Sequence, residues 1–233
     1  MTILDYIILF LTIYLIGSIP FGLVLTKLFL RQDIRKIGSG NIGATNVLRT
    51  GSKILAILTV ILDALKPFFA YWAVRFVMSI LISKLAVNIL FGLYDVYLIM
   101  IITGITIFAH CFPVYLKFKG GKGVATVFGS LFMFSSKWSF LCINAYALPL
   151  VALITWIAIA FISKKSSLSA LITSILLPLY VYLFANYRIY VVKDVTVFYG
   201  CVSLFVILRH ISNIKRLIKG EESNIKLHKD KNE

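Results

Sequence analysis

The chain has 233 residues, of which 60% are hydrophobic and 14% charged, and its mean hydropathy is +0.95. These values describe a protein whose solvent is mostly lipid, an integral membrane protein of one compact domain, and they exclude an ordinary soluble enzyme. The formal net charge of +15 lies between the apolar runs, so it reads as a topology signal and an attraction to anionic lipid headgroups, with no nucleic acid implied.

A membrane span needs about 20 mainly apolar residues at 1.5 Å rise each. The first such run, 3–29, has no basic segment before it and no small-residue cleavage site, so it reads as a retained helix and not as a signal peptide. The polar stretch GSGNIGATNVLR follows, Gly38 to Arg49. Gly38, Gly40 and Gly43 permit sharp backbone turns, and consecutive amides in such turns make an anion-binding concavity. Ser39, Asn41, Thr45 and Asn46 add hydroxyl and amide groups, and the planar fork of Arg49 suits a phosphate or carboxylate. The same composition also fits a flexible loop with a topology-setting arginine.

The second span, 54–80, carries Asp63 and Lys66. Ionised groups in lipid normally pair or face the bundle interior, and the i, i+3 spacing predicts a structural ion pair. Pro67 removes a helical hydrogen bond beside them and predicts a kink. The third span, 85–111, ends near His110, read as an interface residue that satisfies a local backbone group. Next comes KFKGGKG, Lys117 to Gly123. Lys119, Gly120, Gly121, Lys122 and Gly123 repeat the glycine-and-cation chemistry and lead into a short apolar helix, 123–136, whose N-terminal amides favour an anion. The P-loop frame is absent because Gly123 follows Lys122, so nucleotide hydrolysis is not indicated.

Three further spans, 139–162, 167–187 and 192–209, complete the apolar part. At the end of the last, His210 and Asn213 are three apart and on a helix face the same way. A histidine is the side chain suited to take the proton of an attacking alcohol, and Asn213 could orient it or donate to an oxyanion. Residues 220–233 form a polar tail of mixed charge in which His228 is solvated. Cys111, Cys142 and Cys201 share no metal or redox spacing and read as buried small apolar residues.

Eighteen of the 24 lysines and arginines fall in the first loop and its flanks, in Lys117–Lys122, at Lys164 and Lys165, or from Arg209 onward. If the short 123–136 segment also crosses, all of these lie on one side, which the positive-inside rule makes cytoplasmic. The fold class is therefore an all-α membrane protein of seven transmembrane helices, N-terminus outside and C-terminus cytoplasmic, with the three polar stretches together on the cytoplasmic face. Two anion cradles and a base on one face suggest two phosphorylated groups and an alcohol attack. An anion transporter could use the same loops, but the outward turns are short and poor in polar motifs. An H-x-x-x-x-D acyltransferase is disfavoured by spacing, since Tyr115, Lys215 and Glu233 stand five residues after the three histidines.

The runs GSIPFG (Gly17 to Gly22), DIRKIGSGNIGATNVLRT (Asp33 to Thr50), HCFPVYLKFKGGKGVAT (His110 to Thr126) and RHISNIKRLIKGEE (Arg209 to Glu222) closely resemble the bacterial acyl-phosphate:glycerol-3-phosphate acyltransferase family, PlsY, from end to end. The resemblance implies a seven-helix membrane acyltransferase domain over 1–219 with a cytoplasmic tail over 220–233. It implies transfer of an acyl group from acyl phosphate to the sn-1 hydroxyl of glycerol 3-phosphate, giving lysophosphatidate and phosphate, as the first step of phospholipid biosynthesis. No metal and no cofactor is called for. The site would lie on the cytoplasmic side of the bacterial inner membrane, with membrane lipids around it and a functional link to the enzyme supplying acyl phosphate.

Carried over by residue, the family's catalytic serine falls on Ser39 and its phosphate-binding arginine on Arg49. The glycine loop falls on Gly120, Gly121 and Gly123 with Lys119 and Lys122, and the catalytic pair on His210 and Asn213. Gly38, Gly40, Asn41, Thr45 and Asn46 complete the expected substrate-binding set. Pro67 departs from the pattern, which expects glycine after the span lysine.

Overall fold

A computed structural model of the chain describes residues 2–82, 95–138, 146–184 and 189–225. Among them every regular element is helical. In chain order these are α1 (Ile3–Ser18), α2 (Phe21–Leu30), α3 (Ala44–Leu48), α4 (Lys53–Leu81), α5 (Asp95–Cys111), α6 (Val124–Trp138), α7 (Ala147–Ser163), α8 (Ser166–Phe184), α9 (Ile189–Arg209) and α10 (Ile211–Ile218), with single 3₁₀ turns at Ile34–Lys36 and Val114–Leu116.

Lys53–Leu81, Asp95–Leu116, Ser166–Phe184 and Val191–Arg209 are long and apolar enough to cross a membrane, and α1 with α2 makes a fifth if the pair is one broken span. The protein is thus an all-helical, multi-pass membrane protein. The single helix expected over 3–29 is in fact two. Pro20 has no N–H to continue the ladder, and the residue before a proline is pushed out of the helical region, as Ile19 is at φ −59°, ψ 116°. The expected spans 85–111 and 139–162 are described only from Asp95 and from Ala147, while 85–94 and 139–145 lie outside the described residues, as do Cys142 and His228. The short helix expected at 123–136 exists, but its 15 residues rise only ~22 Å against the ~30 Å of a hydrocarbon core.

The chain forms two compact units, Met1–Pro20 with Ile61–Phe134, and Phe21–Val60 with Ser135–Glu233. In the first unit, α4 is a one-sided helix. Trp72, Phe76 and Ile80, four apart, are exposed on one face while Tyr71, Val74 and Met78 are buried on another. A face of large apolar side chains left outward belongs in lipid, where exposure of such groups carries no hydrophobic penalty. Small residues let helices approach. A β-carbon at Gly17 would lie 2.7 Å from the Ala109 methyl group, and one at Gly129 would lie 2.8 Å from Ala64 Cα. Helix α1 is further tied down by Tyr14, whose hydroxyl donates to Phe112 O at 2.7 Å.

In the second unit, α8 packs on both α7 and α9. Its inward face is built of Ser167, Ser169, Ala170, Thr173 and Ser174, the small and hydroxylated residues that allow close helix contact in lipid. Lys164, in the left-handed region at φ +56°, closes the tight α7–α8 turn. Cys111 is buried as expected, but Cys201 is exposed on α9. It lies on the outward face of a membrane helix, where an apolar thiol needs no burial.

Candidate functional site

Within the second unit the first polar stretch is organised by one side chain. Asn46, 2% exposed, donates through Nδ2 to Asn41 O at 2.8 Å and to Ile34 O and Ile37 O at 3.0 Å. Its Oδ1 accepts from the Ser39 amide at 3.1 Å and from Arg49 Nη1 at 3.3 Å. A buried amide whose two N–H groups are shared among three carbonyls and whose oxygen receives two donors fixes the loop as a unit, since stranding its buried polar groups would be costly. Gly38 is needed twice over. Its φ is +53°, and a β-carbon there would lie 2.6 Å from Asn46 Oδ1 and 2.8 Å from Arg49 Nη1. Gly40, at φ +70°, completes the turn, with its N–H donating to Ile37 O. Ser39 is exposed at the apex. Asn41 Oδ1 is buried with no hydrogen bond among the described residues.

At the other end of this unit α9 gives way to α10 at His210, whose carbonyl receives the Asn213 and Ile214 amides at 2.8 and 2.9 Å. The pair therefore shares the first turn of α10 and not one continuous helix face. His210 is 2% exposed, and its Nδ1 lies 2.8 Å from Val206 O. A carbonyl can only accept, so Nδ1 carries the proton and Nε2 is the basic nitrogen of the neutral ring.

The chain beyond α10 returns over this region. Glu222 Oε1 accepts from Ser167 Oγ and from Asn213 Nδ2, both at 2.6 Å, and Oε2 accepts from Arg216 Nε at 2.7 Å. Burial works against the charged carboxylate, but these three donors outweigh it and hold the Glu222 carboxyl below its ordinary range. Ser223 Oγ accepts from Arg49 Nη2 at 2.5 Å, Thr45 Oγ1 meets Ser166 Oγ at 3.1 Å, and the Ile225 amide donates to Lys164 O at 2.7 Å. The Asn213 amide group is thus held by Glu222. Ser166, Ser167, Glu222 and Ser223 were not singled out from the sequence, and only the adjacency of Glu221 and Glu222 in an otherwise basic end hinted at them.

The second glycine stretch belongs to the first unit. Lys117 and Phe118 are left-handed at φ +51° and +62°, and Gly123 at φ +82°. The amides of Lys119, Gly120 and Gly121 donate to Leu116 O, Cys111 O and His110 O at 3.1 to 3.2 Å. Those amides therefore do not face outward as a ring of anion donors. What this stretch offers is the Lys119 and Lys122 cations and the start of α6 at Val124, where first-turn N–H groups have no intrahelical acceptor.

Beneath the loop, Lys66 Nζ lies 2.8 Å from Asp63 Oδ1, so the ion pair expected from the i, i+3 spacing is present. His110 is not the interface residue that was expected. It is buried, with Nδ1 3.0 Å from Lys66 Nζ. Helix α4 runs on through Pro67.

The chain is thus a multi-pass helical membrane protein whose second unit carries a glycine loop organised around the buried Asn46 and a buried His210, and whose first unit carries a lysine–glycine loop. Residues 7–220 match the family described as glycerol-3-phosphate acyltransferase, and the chain belongs to that family, known as PlsY. It is 40% identical over 225 residues to the glycerol-3-phosphate acyltransferase of Pelagibacter ubique (strain HTCC1062), covering 97% of this chain and all of the relative. It is 42% identical over 213 residues to the one from Rhodospirillum rubrum, covering 91% and 87% of the two chains. The crystal structure of PlsY (YgiH), an integral membrane glycerol 3-phosphate acyltransferase, in its glycerol 3-phosphate form is similar with a TM-score of 0.73 and 30% identity over 94% of both chains. Its lysophosphatidic acid form gives 0.72 and 28% over 95%.

Proposed function

We propose that this protein transfers a fatty acyl group from acyl phosphate to the sn-1 hydroxyl of glycerol 3-phosphate, releasing lysophosphatidate and inorganic phosphate. The observation that carries the reading is His210. It is buried, its Nδ1–H is held by Val206 O, and its basic Nε2 belongs to the same unit as the Arg49 loop. In this reading the glycerol hydroxyl oxygen attacks the acyl carbonyl carbon while Nε2 takes its proton, and the carbon–oxygen bond to phosphate breaks. The proton then leaves with the phosphate. A mixed anhydride already has a good leaving group, so direct transfer needs no acyl-enzyme on Ser39, which instead positions substrate or stabilises the oxyanion.

Arg49, Lys119 and Lys122 hold the two phosphate groups, and the loop of Gly38, Gly40, Asn41, Thr45 and Asn46 shapes the first of these sites. Gly120, Gly121 and Gly123 give the second loop its close turns. Asn213, held by Glu222, positions the acceptor. The clustering of basic segments supports seven crossings with the C-terminus and the site on the cytoplasmic side of a bacterial inner membrane. The donor would come from an enzyme that makes acyl phosphate.

The test is phosphate release from palmitoyl phosphate by the purified protein in lipid, with and without glycerol 3-phosphate, together with identification of the lipid product. Acceptor-dependent release with lysophosphatidate is expected. His210→Ala should lower kcat about a hundredfold or more with little change in KM. A His210→Ala protein with near wild-type kcat would remove the base from the mechanism, and an inactive, well-folded wild type would redirect attention to anion flux in liposomes.

A further inference from the structure

The mechanism above leaves one group of buried polar side chains without a task. Lys66 has no exposed side-chain surface, and Asp63 has 5%. His110, on the neighbouring helix α5, completes the group with Nδ1 3.0 Å from Lys66 Nζ and 3.6 Å from Asp63 Oδ1. The longer distance is outside hydrogen-bond reach, so the nitrogen answers to lysine and not to aspartate. An ammonium paired with a carboxylate has three donors and no acceptor. Nδ1 must therefore be the accepting, unprotonated nitrogen, and the ring proton sits on Nε2. His110 and His210 are thus opposite tautomers, each set by the partner of its Nδ1.

The consequence lies at the glycine loop. The Nε2 edge of His110 occupies the space where a β-carbon of residue 121 would stand, and only glycine leaves room for it. The main chain of His110 and Cys111 in turn receives the amides of Gly121 and Gly120. Beside the Cys111 and Leu116 carbonyls, His110 supports the loop twice, through its ring edge and through its own carbonyl. A ring with the other tautomer would turn a bare lone pair toward the Gly121 backbone, and a rotated ring would lose the Lys66 contact.

We propose that Asp63 and Lys66 are positioning residues that act through His110. The carboxylate holds the ammonium, the ammonium fixes His110 as the Nε2–H tautomer, and the fixed ring sets the conformation of the Lys119–Gly123 loop. The link to substrate affinity rests on the proposed role of that loop as a phosphate cradle.

The experiment uses the full chain in phospholipid nanodiscs. Selective ¹⁵N labelling of histidine gives three rings, and His110→Gln identifies the one of interest. In the wild type His110 should show a protonated Nε2 and an unprotonated Nδ1. Lys66→Met strands the Asp63 carboxylate in the membrane and risks the fold, so the neutral double variant Asp63→Asn with Lys66→Met is measured beside it. In that variant the single-tautomer signature should be lost, and KM for one of the two phosphorylated substrates should rise about tenfold while kcat falls less than about threefold. An unchanged His110 tautomer would refute control by Lys66, and a wild-type KM in the folded double variant would reduce the group to an ion pair that balances charge. The labelling measurement needs no turnover. A wild type that folds but transfers no acyl group would therefore overturn the proposed function, and the tautomer would still decide the positioning role.

Discussion

In the first unit Asp63 meets Lys66 inside a membrane helix, with 5% and 0% of their side chains exposed, whereas in the second Glu222 meets Arg216 at the polar end of the chain, where Arg216 is 39% exposed. The same pairing of charges does different work in the two places. At Asp63 no water can replace a lost partner, so the pair exists because neither member could stand alone. Glu222 gathers two neutral donors as well as the cation, and its carboxylate ties α8, α10 and the chain end together. Asp33 and Arg35, with 20% and 45% of their side chains exposed, mark the solvated extreme. There the guanidinium hydrogen bond holds the Asp33 carboxyl far below the usual carboxylate range, yet water competes for both groups.

The sharpest way to break this comparison is to remove one buried partner. Asp63→Asn or Lys66→Met alone should cost about 3–5 kcal/mol, the range for stranding a buried charge, read as loss of folded protein after detergent extraction. The double neutral variant should recover most of it. Glu222→Gln keeps the shape but leaves one acceptor oxygen for three donors, so a loss of about 1–3 kcal/mol is expected in thermal unfolding. The pH dependence follows the same carboxylate. Because its folded pKa is lowered from the ordinary 4.5, its contribution is fully present above that value and is lost as pH falls through the lower folded value. Glu222→Gln should abolish that part of the acid sensitivity.

Gly38→Ala forces a left-handed residue and meets the Arg49 guanidinium. It should cost about 1–2 kcal/mol and raise the KM of a phosphorylated substrate, whereas a wild-type KM would dissociate the loop from phosphate binding. The smallest effect is expected at the solvated pair, where Asp33→Ala should change stability by at most about 1 kcal/mol. A larger loss there would mean that exposure does not rank these pairs.

Much of the candidate site stands out in the chain because its residue types are rare in lipid. Arg49, the two glycine stretches and the ion pair at Asp63 and Lys66 stand out against apolar runs, and spacing alone predicted the pair. Glu222 was not legible as a hub, since one acidic residue in a mixed-charge tail carries no periodic signal. Nor was His110, whose neighbours in sequence are Ala109 and Cys111 and whose partner is 44 residues away. The break at Pro20 was available in the sequence but was overridden by the continuity of apolar residues from 3 to 29.

The sequence by itself determined the solvent, the helical class, the confinement of polar chemistry to three short stretches and the family resemblance, because each is a property of composition and order along the chain. Only the tertiary structure decided what those polar groups face. It turned the Gly120 and Gly121 amides onto protein carbonyls, gave Asn213 to Glu222, and set the Nδ1 atoms of His110 and His210 against partners of opposite kind, an ammonium and a carbonyl. Hydrogen-bond partners are chosen by proximity in space, which composition and order along the chain do not encode, and where burial removes water an unmet partner is costly.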